Sequence, residues 1–475
     1  MKLILSLMLV LSAHVLDAQI HISDLIKVAD AQEYGDMRPR IELVNGTPNV
    51  FWMQNNSRLW LNHRTSDSIF SDPVNLNGAD HSIFVSNYGG SDIAVSGSTM
   101  FLTYMILPYI EAKVYLKKSV DGGETWSDPE LIALPDSVIP FVPTVAVDEL
   151  GDPVLMVMAY DENYHNPEWV TLKSFDGGST FQSMVSASEG APHEVCDCCP
   201  GNLNVWVDQV VTTFRNNDQN IRDTWIATSH DWGAQYDTVL DVDPGNWNIA
   251  SCPSSGPDAI FDGNRVHSTW MSSGSGSPRI YCSNMHSWNY EFESGIVYES
   301  GNSQNFPRIA GNTDTIGIVF QNSDNGISNC LFIHSINGGE TWSEPLDVYG
   351  DSVSYQRHPD VAFENGSFHI IFNDLFTSSI YYREVSFNAP SGVSTTDINS
   401  IRLYPNPVKD LFRIELSSSQ QATIDVHSIS GELIHHAQIL NGDQIDCSAW
   451  NNGVYFVEIR TSDGISLNQK LVLVK

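Results

Sequence analysis

The chain has 475 residues, of which 57 are acidic and 23 are Lys or Arg, giving a formal net charge of −34 at pH 7. That charge disfavours nucleic acid and other polyanions as partners. The length leaves room for more than one folded unit.

The first 11 residues, Met1 to Leu11, place one cation ahead of an apolar run too short to cross a bilayer, and Asp17-Ala18-Gln19 follows. Residues 1–18 are therefore expected to be a cleaved signal peptide. No later stretch is apolar enough for a membrane span, so the mature chain is expected outside the cytoplasm with no transmembrane segment.

From residue 39 onward one short register recurs seven times: Pro39-Arg40-Ile41, Ser91-Asp92-Ile93, Pro143-Thr144-Val145, Gly201-Asn202-Leu203, Pro257-Asp258-Ala259, Pro307-Arg308-Ile309 and Pro359-Asp360-Val361. Each is followed by a turn and a run rich in β-branched, aromatic or other apolar residues, such as Val50-Phe51-Trp52 or Ile370-Ile371-Phe372. These runs read as strands.

A second signal marks the far end of each unit. Ser119 to Trp126 (Ser-Val-Asp-Gly-Gly-Glu-Thr-Trp) returns at Ser174 to Phe181, Ser229 to Tyr236 and Ser335 to Trp342, with degenerate copies at Thr65 to Phe70 and Ser283 to Tyr290. The spacing is roughly 52 to 55 residues. Asp or Asn with Gly builds a tight turn needing positive φ, and the closing aromatic packs beneath it. Short strands at this period, with no helical periodicity, predict four-stranded sheets repeated around a channel. The fold class is all-β: a seven-bladed β-propeller over residues 19–390, with six blades as the alternative. The last unit stops one strand short after Ile380 to Arg383, and Ile20 to Val28 is placed to supply that strand.

Ser and Thr dominate residues 391–400, which read as a linker. Residues 401–475 then open with Tyr404-Pro405-Asn406-Pro407 and continue through Gly453-Val454-Tyr455 to a basic end. This tail resembles the C-terminal sorting domain of the type IX secretion system of Bacteroidetes. The resemblance implies a small β-sandwich, the type IX secretion machinery as a partner, and a secreted or outer-surface location. The octapeptide turns likewise resemble the Asp-box, or bacterial neuraminidase, repeats of sialidase-like propellers, a likeness that speaks for fold more than for activity.

The chemistry is expected where the inner strands begin. Arg40, Asp92, Thr144, Asn202, Asp258, Arg308 and Asp360 occupy one equivalent position and form a polar collar around the channel mouth. Two guanidinium forks suit a carboxylate or clustered hydroxyls, and three carboxylates can act as acids, bases or acceptors. The competing reading is that strand starts at a wet channel are polar in any case. The sialidase resemblance implies three arginines for the substrate carboxylate, a tyrosine nucleophile and an aspartate acid or base. On that basis Asp92, Asp258, Asp360 and Tyr355 are the catalytic candidates, and Arg40, Arg308, Arg215, Arg222, Arg357 and Asn202 the binding candidates. Arg38-Pro39-Arg40-Ile41 matches the family's first arginine signature only in part, because Glu42 stands where a proline is expected.

Glu194-Val195-Cys196-Asp197-Cys198-Cys199-Pro200 and Cys252 belong to loops leading into adjacent units. Outside the cytoplasm Cys196, Cys198, Cys199 and Cys252 are expected to form disulfides. A structural metal ion on Cys196, Cys198 and Cys199 is the alternative. Cys282, Cys330 and Cys447 are expected to be buried thiols. No cofactor is otherwise called for. The functional expectation is a secreted or cell-surface propeller that binds or processes a glycan or glycoconjugate at the channel mouth. The alternatives are an exo-sialidase or other glycoside hydrolase, and a non-catalytic adhesion or scaffold propeller.

Overall fold

A computed structural model describes residues 19–30, 38–54, 58–77, 81–86, 88–350, 354–388, 402–404, 408–415, 421–428, 433–440, 442–461 and 466–473. The expected signal peptide, the linker and Pro405 to Pro407 lie outside these residues. The chain divides into a compact unit, Ile20–Phe387, and a second unit containing Asn388–Lys475.

Among the described residues the first unit contains seven antiparallel sheets of four or five strands. Their innermost strands include Arg40–Val44, Asp92–Ser96, Ile139–Val147, Asn202–Trp206, Asp258–Phe261, Ser303–Gly311 and Gln356–Glu364. Each packs beside the next, and the seventh packs against the first, which closes the circle of a β-propeller. We number the sheets blades 1 to 7 in chain order.

Local sequence explains the strand order within a blade. Pro153–Tyr160 in blade 3 is buried at every position except the last, as an unbroken apolar run in a covered second strand should be. Outer strands are short and half exposed, such as Glu130–Leu131 in blade 2. In blade 7, Gln356–Glu364, Ser367–Asp374 and Ser379–Asn388 are completed by the N-terminal strands Gln19–Ile22 and Ile26–Asp30, both paired with the third strand. Ile26 pairs with Tyr382 and Asp30 with Ser379, so the two ends of the unit meet in one sheet.

The cores lie between blades. Phe51, Met53, Leu59 and Leu61 of blade 1 pack on Ile93, Met100, Leu102 and Tyr104 of blade 2. Ile41, Val50 and Trp52 of blade 1 join Ile371, Ile380 and Tyr382 of blade 7, with Ile26 and Val28 of the closing strand. Each such side chain contributes about 1.5–3 kcal/mol through burial.

The octapeptide turns connect third and fourth strands at the outer rim. In Ser119 to Trp126 the Gly123 N–H donates to Ser119 Oγ at 2.9 Å, the Thr125 N–H to Asp121 Oδ1 at 2.9 Å, and Trp126 Nε1 to the Gly123 carbonyl at 3.0 Å. The first two of these bonds return at Ser174, Ser229 and Ser335. Gly122 and Gly123 have φ of 73° and 93°, the left-handed region that disfavours a side chain. Trp126 thereby reaches the core shared by blades 1 and 2.

The second unit holds a three-stranded sheet (Arg402–Tyr404, Leu411–Glu415, Gln444–Asp446) and a four-stranded sheet (Leu433–Leu440, Gln421–Ser428, Gly453–Thr461, Ser466–Leu473). Both contribute to one core that includes Phe412, Ile414, Ile424, Val457 and Leu471, the arrangement of a small β-sandwich. Cys447 is buried in that core.

Candidate functional site

The seven collar positions fall at equivalent places on the inner strands, and they bond mainly to one another. Arg40 contacts Asp92 (Nη2 to Oδ1, 3.1 Å) and Asp360 (Nε to Oδ2, 3.2 Å). Arg308 contacts Asp360 (Nε to Oδ1, 2.8 Å) and Asp258 (Nη1 to Oδ1, 3.0 Å). Asn202 Nδ2 donates to Asp258 at 2.8 Å, and the Thr144 hydroxyl donates to Asp92. The series runs Thr144, Asp92, Arg40, Asp360, Arg308, Asp258, Asn202, crossing six of the seven seams between blades.

Each aspartate also accepts the backbone N–H one residue beyond the collar position in the next blade. Asp92 takes Val145 N at 3.2 Å, Asp258 takes Ile309 N at 2.9 Å, and Asp360 takes Ile41 N at 2.9 Å. Asp258 and Asp360 have side chains only 4% and 3% exposed. Burial opposes ionisation of Asp360, but the guanidiniums of Arg40 and Arg308 outweigh it and hold its pKa below the usual carboxylate range. For Asp258 burial wins over Arg308 and Arg40, and its pKa is raised.

Where open acids, bases and binding forks are expected, the collar carboxylates and guanidiniums pair with each other and with the backbone from blade to blade, although Arg40 Nε and Asp92 Oδ1 are in ion-pair contact without a hydrogen bond. The space above the collar is small, about 60 Å³, and is lined by Arg38, Tyr88, Val142, Phe306 and His358 among others. Ligand pockets usually measure about 300–1,000 Å³, so this mouth encloses less space than a drug-sized ligand fills. Below the collar the channel widens to about 430 Å³ between the inner strands. There burial pushes the Glu42 carboxyl up to about 8.

Val142, Phe306 and His358 stand two residues before the collar with φ of 37°, 50° and 51°, and a register shift follows each on its strand. These bulges turn side chains over the mouth, and the strand pattern alone carries no signal for them. Arg38 holds the same position in blade 1. Burial, then repulsion from Arg40 and Arg308, lowers its pKa to about 9.

The other candidates lie elsewhere. Arg215 is fully buried and donates to the carbonyls of Ser255 (3.2 Å), Arg222 (2.5 Å) and Met271 (2.6 Å). Arg222 Nη1 approaches Cys196 Sγ at 3.0 Å, while its neighbour Asp223 accepts the Trp247 N–H at 2.8 Å. Tyr355 packs its ring near Phe376, 6.3 Å between centroids. Neither Tyr355 nor Arg357 lines the mouth. Of the binding candidates Arg40, Arg308 and Asn202 meet at the collar, whereas Arg215 and Arg222 meet each other away from it.

Cys198 and Cys252 form a disulfide joining the leading loops of blades 4 and 5. Cys196 and Cys199 are buried beside it. The same loop reaches blade 3, because the Tyr160 hydroxyl donates to the Asp197 carbonyl at 2.6 Å. It thus bridges the seam that the collar bonds do not cross.

An aromatic series not anticipated from sequence adjoins this loop. Phe84 packs on Tyr109 (5.7 Å) and Phe141 (5.1 Å), Phe141 on Tyr160 (6.3 Å), and Tyr160 on Tyr164 (6.5 Å). Tyr109 and Tyr164 are each 46% exposed. They sit in turns after second strands, on the face where inner strands begin. The aromatics are scattered over residues 84–164, and the packing of blade 2 against blade 3 gathers them.

Residues 402–475 match the secretion system C-terminal sorting domain. The chain is exported by type IX secretion to the cell surface or beyond it. No helix among the described residues is long and apolar enough to cross a membrane. No curated protein matches the chain. Among solved structures the chain is similar to the polysaccharide lyase Uly1, at 12% identity over 75% of this chain and 90% of that one, with a TM-score of 0.51. A PL25 ulvan lyase is similar at 12% identity over 75% and 95%, with a TM-score of 0.50. The sialidase of Trypanosoma rangeli gives 9% identity over 92% and 85%, with a TM-score of 0.43. At these identities the likeness concerns the fold, a β-propeller of the kind that glycan-active proteins use.

Proposed function

We propose that this exported propeller binds glycans on the face where its inner strands begin, with sugar rings lying across the rim and outside the channel. The exposed rings of Tyr109 and Tyr164, continuous with the buried Phe84 and the partly buried Phe141, carry this reading. An amphipathic tyrosine offers an apolar face to a pyranose and a hydroxyl to its polar edge. The polar mouth beside them, with Arg38 and His358, supplies hydrogen-bond donors. Glycoside hydrolysis by Asp92, Asp258 or Asp360 is disfavoured because a catalytic carboxylate must reach the glycosidic oxygen, and these are engaged in inter-blade bonds.

A glycan array probed with the full chain tests the proposal. Saturable binding, weakened about tenfold or more in a Tyr109→Ala, Tyr164→Ala variant that melts like wild type, is the expected result, equivalent to at least about 1.4 kcal/mol. An inert array would favour the adhesion or scaffold reading. Release of 4-methylumbelliferone from its sialoside, abolished by Asp258→Asn, would instead restore the hydrolase reading.

A further inference from the structure

Four sulfurs converge beside the mouth. Cys196, Cys198 and Cys199 from the leading loop of blade 4 and Cys252 from that of blade 5 lie within 4.8 Å of one another. Cys198 and Cys252 are bonded, with Cα atoms 6.4 Å apart. The other two belong to a tight turn in which the Cys199 N–H donates to the Cys196 carbonyl at 3.3 Å. Such a turn keeps its end Cα atoms within about 7 Å, close to the span a disulfide tolerates. Cys196 Sγ lies 3.2 Å from Cys199 Sγ and 3.8 Å from Cys198 Sγ, so it stands between its turn partner and the existing bond.

We infer that Cys196 and Cys199 form a second disulfide in the exported protein, and that oxidising equivalents reach them through the Cys198–Cys252 bond. Both thiols are completely buried, so an external oxidant has no direct path to either. Cys198, by contrast, is only partly buried. In the exchange the Cys196 thiolate attacks Cys198 Sγ; the Cys198–Cys252 bond breaks and Cys252 leaves as the thiolate. Cys199 gives its proton to that thiolate and attacks Cys196 Sγ, expelling Cys198. One disulfide has formed and one has opened, with no net change in electrons. A small disulfide oxidant of the oxidised-glutathione class then closes Cys198–Cys252 again and is itself reduced to two thiols.

The surroundings favour this order. The Cys199 hydrogen bond outweighs burial, and with Arg215 and Arg222 it draws the Cys196 pKa down to about 6. Burial pushes the Cys199 pKa up. The Arg222 guanidinium 3.0 Å from Cys196 Sγ favours the thiolate there, which makes Cys196 the attacking sulfur. With Cys198 and Cys252 bonded, two cysteine sulfurs of the cluster remain, fewer than a tetrahedral thiolate metal site uses. The second bond locks the loop whose Asp197 carbonyl receives the Tyr160 hydroxyl across the seam between blades 3 and 4.

Protein recovered from the medium of a producing strain is denatured without reductant, alkylated with iodoacetamide and mapped by mass spectrometry. The expected result is a Cys196–Cys199 linked peptide, with adducts on Cys282 and Cys330, and on Cys447 where the sorting unit is retained. Adducts on Cys196 and Cys199, or stoichiometric zinc or copper in the native protein, would overturn the second disulfide. For the route, the folded Cys198→Ala, Cys252→Ala variant is reduced and exposed to oxidised glutathione; Cys196–Cys199 should form at least about tenfold more slowly than in wild type. Equal rates would sink the relay. Should that variant not fold, a timed quench of wild-type reoxidation decides: a Cys196–Cys198 linked peptide must precede Cys196–Cys199, and its absence overturns the route.

Discussion

Asp360, on the last inner strand, accepts the backbone N–H of Ile41, on the first, in a 2.9 Å hydrogen bond across the closing seam of the ring. The same carboxylate holds Arg40 and Arg308. One side chain thus ties blades 6, 7 and 1 together at the hub.

Replacing Asp360 with Asn removes the carboxylate that Arg40 and Arg308 share, while Asp92 stays with Arg40 and Asp258 with Arg308. Weakening hydrogen bonds to a charged group in this way costs about 1.5–3 kcal/mol. Urea denaturation of the full chain should show the propeller transition shifted by that amount. A shift below about 1 kcal/mol would mean that the collar bonds do not hold the seam.

At the outer edge the same seam relies on packing. Ile26 is 7% exposed in the core shared by blades 7 and 1. Ile26→Ala should cost about 2–5 kcal/mol, a large-to-small change in a closed core. Hydrogen exchange should then accelerate in Ser379–Asn388, its pairing partner, ahead of the other blades.

The contributions of Glu42 and Asp223 to stability should fall as pH rises from about 4 to about 8. Burial raises the folded-state pKa of Glu42 to about 8 and that of Asp223 to about 7, so between the unfolded and folded values the folded chain binds more protons than the unfolded chain. Rising pH must strip those protons, and the native state loses stability until the folded pKa is passed. Glu42→Gln, which never ionises, should flatten the decline and raise the melting temperature at pH 8 by about 1–3 °C. Asp360 has the opposite sign: its lowered pKa contributes stability above the ordinary carboxylate range that is lost as pH falls through its folded value. Melting temperature against pH in both variants checks each direction.

Gly123→Ala addresses the rim turns. Its φ of +93° strains an L side chain, and a Cβ there would lie 3.2 Å from Leu61 and Met100 side-chain atoms. A loss of more than about 1 kcal/mol is expected in thermal unfolding, larger than for Gly97→Ala, which carries positive φ but meets nothing within 4 Å. Equal costs would leave backbone strain as the whole effect.

Much of the architecture was legible in the residues themselves. Turns such as Ser119 to Trp126 specify their own geometry, because Ser, Asp and Gly satisfy bonds within a few residues, and their period reports a repeated sheet. The polar position after Pro, Ser or Gly marked the hub. The tail's Gly453-Val454-Tyr455 strand and its closing residues carried the sorting signal. Sequence did not disclose how the hub is used: Arg40 and Arg308 looked like forks awaiting a ligand, and Tyr355, Arg215 and Arg222 looked like neighbours of theirs.

What the sequence by itself determined is therefore the strand repeat, the rim turns, the polar collar and the route of export, each encoded over short spans by local hydrogen bonding, side-chain periodicity or a compact motif. Only the tertiary structure decided which collar charges neutralise one another, that Cys198 pairs with Cys252, and that Tyr109 and Tyr164 share one face. Those relationships join residues about 50 to 320 positions apart. The nearer pairs meet when neighbouring blades pack, the farthest only when the ring closes, and the loop-closure cost is met by packing throughout the unit.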